Sequence, residues 1–210
     1  MDKIICLGKN YLEHAKELGD KVPEKPVIFL KPPSTLCQIS KSGAHAVITL
    51  PGRARDCELH HEIEIVLRIG RDGENIEMAD ALSYVDSVTI GLDMTLRDVQ
   101  VKLKNEGHPW EICKVFPDSA IVGPFVRLCD FPDWDKIDFS LAVNSQKRQS
   151  GGVREMMMSP VQAICYASSF FKLCAGDLLF MGTPPGVGRI FPGNRADLVW
   201  NSLSYSVEWK

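Results

Sequence analysis

Apolar and polar residues alternate with a period of two through His60-His61-Glu62-Ile63-Glu64-Ile65-Val66-Leu67. That period predicts a strand with Ile63, Ile65 and Leu67 turned into a core and Glu62 and Glu64 projecting together on the other face. The apolar run from Val85 to Leu92 predicts a second strand that ends at Asp93. Shorter runs predict strands over Lys3–Leu7, Val27–Leu30, Ala46–Leu50, Ala120–Val126, Phe139–Val143, Leu178–Met181, Leu198–Trp200 and Leu203–Trp209. Three helices are expected. The first covers Tyr11–Leu18 and is ended by Gly19. The second is capped by Thr95, carries Asp98 in its first turn and runs to about Glu106, with Gly107 beyond. The third covers Pro160–Phe171, with Pro160 in its first turn. Met78–Leu82 reads as a helical turn, Asn144-Ser145 as a hairpin turn, and Gln146–Arg154 as a polar loop. With no repeat or linker in the pattern, the chain reads as a single domain over 1–210, mainly β with a few helices (α+β).

Composition narrows the partners. The chain has 24 Lys and Arg against 27 Asp and Glu, a formal charge of -3, which argues against nucleic acid or a membrane surface as the main partner. Its first residues, Met1-Asp2-Lys3-Ile4-Ile5-Cys6, lack the character of a signal or transit peptide. Seven cysteines without a C-x-x-C pair point to reduced thiols and a cytoplasmic location, with no disulfide framework or zinc site.

The chemistry lies in the acids. Two carboxylates side by side repel unless a cation or a proton sits between them. Glu62, Glu64 and Asp93 together form a hard oxygen set suited to Mg2+ or Mn2+. Taken alone, E-x-E is as well explained by a solvated strand face. His14 and Glu17, three apart on the first helix, are neighbours, and their spacing alone reads as a polar helix face. Arg97 and Gln100 share a face at the start of the second helix, and Lys114 follows a short loop containing Pro109 and Trp110. His60 and His61 offer a rival metal set of two His plus carboxylates, ranked lower because His61 alternates away from both glutamates. The loop Gly182-Thr183-Pro184-Pro185-Gly186-Val187-Gly188 has no G-K-[ST] and is no P-loop. Its N–H groups and the Thr183 hydroxyl suit a carboxylate.

Gly8-Lys9-Asn10-Tyr11 with His14 and Glu17, Phe29-Leu30-Lys31-Pro32, His61-Glu62-Ile63-Glu64, Asp93-Met94-Thr95 with Arg97-Asp98 and Gln100, Lys114, and Gly182-Thr183-Pro184 with Gly186-Val187-Gly188 follow one another along nearly the whole chain. In this order they resemble the fumarylacetoacetate hydrolase family, in particular its small branch of acylpyruvate hydrolases and oxaloacetate decarboxylases. The resemblance implies the rolled β-sandwich of that family's C-terminal domain, a homodimer, and a Mg2+ or Mn2+ ion on Glu62, Glu64 and Asp93. It makes His14 and Glu17 the pair that activates water, on a mobile lid near residues 11–25. Lys114 joins them as a catalytic residue and, with Arg97 and Gln100, donates to the oxyanion. Lys31 and Thr183 are expected to contact the carboxylate of a small 2-oxo acid substrate. The function expected first is metal-dependent hydrolysis of the C–C bond of acylpyruvates, with oxaloacetate decarboxylation in the same pocket. An isomerase or tautomerase of 2-hydroxy-dienoates or oxaloacetate is the alternative, and a non-catalytic ligand-binding homologue the second. The intact set of acids, base and donors argues against the last.

Overall fold

A computed structural model describes all residues except 20–24, 51 and 53–55. The first half of the chain forms β1 (Ile4–Gly8), α1 (Leu12–Glu17), β2 (Val27–Lys31), β3 (Leu36–Gln38), β4 (Ala44–Ile48), β5 (Leu59–His61), β6 (Ile63–Ile69), β7 (Val85–Asp93), β8 (Thr95–Leu96), α2 (Arg97–Glu106) and α3 (Glu111–Lys114). The second half forms β9 (Ala120–Val122), β10 (Val126–Arg127), β11 (Phe139–Val143), β12 (Gln146–Gly151), α4 (Pro160–Ser168), β13 (Leu178–Phe180), β14 (Gly188–Arg189), β15 (Arg195–Trp200) and β16 (Leu203–Trp209).

The strands make an eight-stranded sheet in the order β2-β1-β13-β6-β7-β9-β3, with β10 also on β7. Beside it lie a five-stranded sheet, β12-β11-β15-β16-β4, and a small one, β14-β5-β8. The fold is the mainly β, curled-sheet fold the sequence implies. Ile63, Ile65, Leu67, Ile90 and Leu92 of the large sheet share one core with Leu141, Leu198, Trp200, Tyr205 and Val207 of the second sheet. Val66 lies on the opposite face, in a smaller core with Ile4, Cys6, Phe29 and Phe180. The period of two in β6 therefore divides one strand between two environments.

Local chemistry explains most boundaries. Asn144 and Ser145 both take positive φ, 49° and 65°, the pattern of a tight hairpin turn joining β11 to β12. Ser159 and Gln162 form a capping box ahead of Pro160. Gly107 ends α2 in the left-handed region.

Four expectations need correction. Gln146–Arg154 is largely a strand, because β12 is a sheet edge that pairs with β11 on one side and keeps polar residues in water. The stretch Ala120–Val126 breaks into β9 and β10 at Gly123-Pro124, where proline removes a ladder donor. Thr95 does not cap α2; it lies in β8, the N-cap position is Leu96, and the Thr95 hydroxyl is used by Lys114. The third helix ends at Ser168, short of Phe171.

Candidate active site

Glu62 sits at the break between β5 and β6, Glu64 two residues on in β6, and Asp93 at the end of the neighbouring β7. Antiparallel pairing of Ile63 with Leu92 brings the three together, and one ligand oxygen from each lies within 4.8 Å of the others. All three are buried, Glu64 to 2 % exposure. A cleft above them encloses about 380 Å³ of empty space, its open mouth included; it is lined by His14, Arg97, Gln100, Lys114, Trp110 and Thr183, among others.

Three cations answer the acids. Lys114 at the end of α3 reaches Asp93 Oδ2 at 2.6 Å, Glu62 Oε2 at 2.9 Å and Thr95 Oγ1 at 2.6 Å. Arg97, in the first turn of α2, donates to Glu62 Oε1 and to Gln100 Oε1. Lys31 Nζ lies 2.5 Å from Asp93 Oδ1 and donates to the carbonyls of Ser119 and Met94. Burial pushes the Glu62 carboxyl up, yet the Lys114 and Arg97 charges outweigh burial and hold it well below its usual range. Burial opposes charge on Lys114 too, but Asp93 and Glu62 raise its pKa above the ordinary lysine value.

Glu64 differs from its neighbours. Among the described residues no lysine or arginine pairs with it; it accepts the Gly182 N–H at 2.6 Å. Burial, then the charges of Asp93 and Glu62, push its carboxyl well above the usual range. Gly182 can make this approach because its φ is +90°, and a Cβ there would lie 2.8 Å from that of Asn10.

His14 on α1 lines the same cleft as Arg97 and Gln100 of α2. Its Nδ1 is 3.2 Å from Glu17 Oε2, and both Glu17 oxygens accept the Gly186 N–H at 3.0 and 3.1 Å. This bond fixes Nδ1 as the protonated nitrogen and leaves Nε2 basic. Burial lowers the His14 pKa below 6.5, against the opposing pull of Glu62 and Glu17, so the imidazole is neutral at neutral pH.

The structure thus gathers His14, Glu62, Glu64, Asp93, Arg97, Gln100, Lys114 and Thr183 around one cleft, with Glu17 immediately behind His14. Lys31 lies behind Asp93 and outside the lining. The Gly-rich loop does hold carboxylates, but they are those of Glu64 and Glu17. His61 Nδ1 is taken by Gln149, and the metal-competent group among the described residues contains neither His60 nor His61. In the segment expected to act as a lid, Tyr11 and Ala15 are buried, and the Tyr11 hydroxyl donates to the Gly152 carbonyl. Residues 20–24 of that segment lie outside the described residues.

Sequence reasoning assigned no role to two buried amides, Asn10 of the Gly8-Lys9-Asn10-Tyr11 motif and Gln149. Asn10 bonds to Met181 and Met158 and ties the turn after β1 to the cleft floor. Gln149, in the stretch read as a loop, bonds to His61 beside Glu62 and to Thr183 of the Gly-rich loop. Neither leaves a local signal, since each bonds to residues more than 30 positions away.

Residues 3–202 match the model of the fumarylacetoacetate hydrolase C-terminal family. The chain is 35% identical over 205 residues to an oxaloacetate tautomerase of Escherichia coli, covering 97% of this chain and 90% of that protein. It is 36% identical over 191 residues to a mitochondrial oxaloacetate decarboxylase of Dictyostelium discoideum, covering 91% and 85%. The crystal structure of a Pseudomonas aeruginosa fumarylpyruvate hydrolase in complex with Mn2+ and pyruvate superposes with a TM-score of 0.91 at 33% identity, covering 100% of this chain and 91% of that one. No helix among the described residues is long and apolar enough to cross a membrane.

Proposed function

This chain belongs to the fumarylacetoacetate hydrolase family, and from that premise we propose that it interconverts the enol and keto forms of a small 2-oxo dicarboxylic acid of the oxaloacetate type, with Mg2+ or Mn2+ as cofactor. The observation that carries this reading is the cluster of Glu62, Glu64 and Asp93 in one cleft that a neutral His14 also lines. Proton transfer at carbon needs one base beside the substrate and no second reactant. The names of the tautomerase and decarboxylase relatives support the same substrate.

The acids fit a divalent ion. Glu64 has a depressed tendency to ionise and, among the described residues, no paired cation, and Asp93 Oδ1, although close to Lys31, receives no well-directed hydrogen bond from them. Glu62, Glu64 and Asp93 would hold the ion, which when bound supplies Lewis-acid stabilisation of negative charge on a 2-oxo acid. In the enol-to-keto direction His14 Nε2 takes the enol hydroxyl proton and delivers it to the carbon beside the oxo group; in the reverse direction it takes that proton from carbon and returns it to oxygen. Glu17 keeps the tautomer that makes this possible. Lys114, held charged by its neighbours, commits its three N–H donors to Asp93, Glu62 and Thr95 and so fixes the acids in place. The buried Arg97 Nε has no partner among the described residues, and this donor with the Gln100 amide suits the substrate carboxylate.

Acylpyruvate hydrolysis is the second reading. The intact His14–Glu17 pair favours it, because the same base can activate water against a distal carbonyl, and so does the likeness to the fumarylpyruvate hydrolase. The sequence ranks it first; the names of the relatives reverse that order. One preparation loaded with Mn2+ tests both readings, by loss of enol-oxaloacetate absorbance and by release of pyruvate from acetylpyruvate and fumarylpyruvate. Faster enol decay that is lost in His14→Ala supports the proposal. Enol decay at the uncatalysed rate alongside rapid pyruvate release overturns it in favour of hydrolysis.

A further inference from the structure

We propose that Gln149 is a positioning residue for the metal site, locking the strand that carries Glu62 and Glu64 to the loop that holds Glu64 from the other side. The inference rests on the reading of the three acids as metal ligands. Gln149 projects from the edge strand β12 and is 1 % exposed. Its Oε1 accepts from His61 Nδ1 at 2.8 Å and from the Ile63 N–H at 3.1 Å. Its Nε2 donates to Thr183 Oγ1 at 2.8 Å and to the Pro184 carbonyl at 2.7 Å. A primary amide offers two donors and two acceptor sites, so all four are used.

The orientation of this amide has only one solution. A backbone N–H can only donate and a carbonyl can only accept, so Ile63 must face Oε1 and Pro184 must face Nε2. His61 is then the tautomer with its proton on Nδ1. The Thr183 hydroxyl, receiving a bond from Gln149, sends its single proton to the Ile63 carbonyl at 2.8 Å. A closed ring of bonds results, from Gln149 to Thr183 to Ile63 and back to Gln149. Its two anchor points flank the metal ligands. His61 and Ile63 are the residues on either side of Glu62. Thr183 follows Gly182, whose N–H holds Glu64. In this arrangement Thr183 is scaffold: its hydroxyl proton is committed and not free for a substrate carboxylate.

Binding of Mn2+ measured by calorimetry, in the whole chain, tests the proposal without reference to turnover. Gln149→Met keeps the length and removes all four bonds. Mn2+ affinity is expected to fall about 10- to 100-fold, the usual consequence of losing a group that orients a ligand. Thr183→Val cuts the same ring at its other end with little change of shape, and should fall in the same range. Combining it with Gln149→Met should add less than the product of the two effects. Thr183→Ser keeps both bonds and should retain wild-type affinity. Ser168→Ala, which removes a buried bond to the Ile76 N–H far from the cleft, controls for general loss of stability. Should Gln149→Met fail to fold, Thr183→Val and Thr183→Ser read the same quantity. Affinity within twofold of wild type in both Gln149→Met and Thr183→Val, or an equal loss in Ser168→Ala, overturns the role of the ring. Absence of Mn2+ binding in the wild type itself overturns instead the metal reading on which the proposal rests.

Discussion

The two faces of β6 carry opposite kinds of stability. Ile63, Ile65 and Leu67 are fully buried against the five-stranded sheet and contribute by excluding water. On the other face, Glu62 and Glu64 are buried nearly as deeply but gain nothing from that burial. They persist because Lys114, Arg97 and the Gly182 N–H answer them. Buried ion pairs seldom stabilise a fold beyond what apolar residues of the same size would give. Three acids and three cations in one buried cluster are therefore not explained by stability alone. The contrast teaches that burial alone does not separate core from site; the partners of the buried group do.

The largest separation of the two faces is expected from His14→Ala. Removing a positioned general base should lower enol–keto turnover by about 10²- to 10⁴-fold while thermal unfolding stays close to wild type. Turnover within threefold of wild type would remove His14 from the reaction. Lys114→Met strikes the charged face itself. It leaves Glu62 and Asp93 short of a cation, and the metal-free protein should lose about 3–5 kcal/mol in urea titration. Added Mn2+ should restore part of that loss, because a bound cation replaces the missing charge and binding stabilises the folded state. A loss that Mn2+ does not touch would separate Lys114 from the acids.

Ile65→Ala strikes the apolar face and should cost about 2–5 kcal/mol through lost burial and the cavity left behind. The Mn2+ affinity of the folded protein should stay within twofold, which would show that the two faces act independently. The smallest effect expected is one of pH. His14 has its pKa lowered by burial, so its basic form survives below pH 6.5, and a bound dication would shift it further in the same direction. The acid limb of the rate profile should therefore lie below pH 6.5, and Glu17→Gln, which removes an opposing negative charge, should move it lower still. The same shift makes stability fall with pH. Once the pH drops below 6.5 the unfolded chain takes up a proton that native His14 refuses, and this difference closes only at the lower folded pKa.

Much of the acid site is legible in the sequence because its parts are local. The period of two places Glu62 beside Glu64, the end of an apolar run marks Asp93, and helix spacing pairs Arg97 with Gln100 and His14 with Glu17. The turn at Asn144-Ser145 and the close of α2 at Gly107 are legible for the same reason. What the pattern could not reveal depends on contacts distant along the chain. Glu17 is held by Gly186 across 169 positions, and Gln149 reaches Thr183 across 34. The strand β12 is disguised because an edge strand facing water has no apolar alternation. Thr95 satisfies every local rule for a helix cap, yet Lys114 offers its hydroxyl a stronger, charged partner at 2.6 Å.

Glu62, Glu64 and Asp93 are read as one divalent-metal site. Calorimetric titration of Mn2+ into the wild-type chain and into Glu64→Gln tests it most directly, since the substitution removes a charge and nearly keeps the shape. One ion per chain in the wild type is expected, with affinity weakened at least about 10-fold in the variant. Equal stoichiometry and equal affinity in the two proteins would contradict that reading.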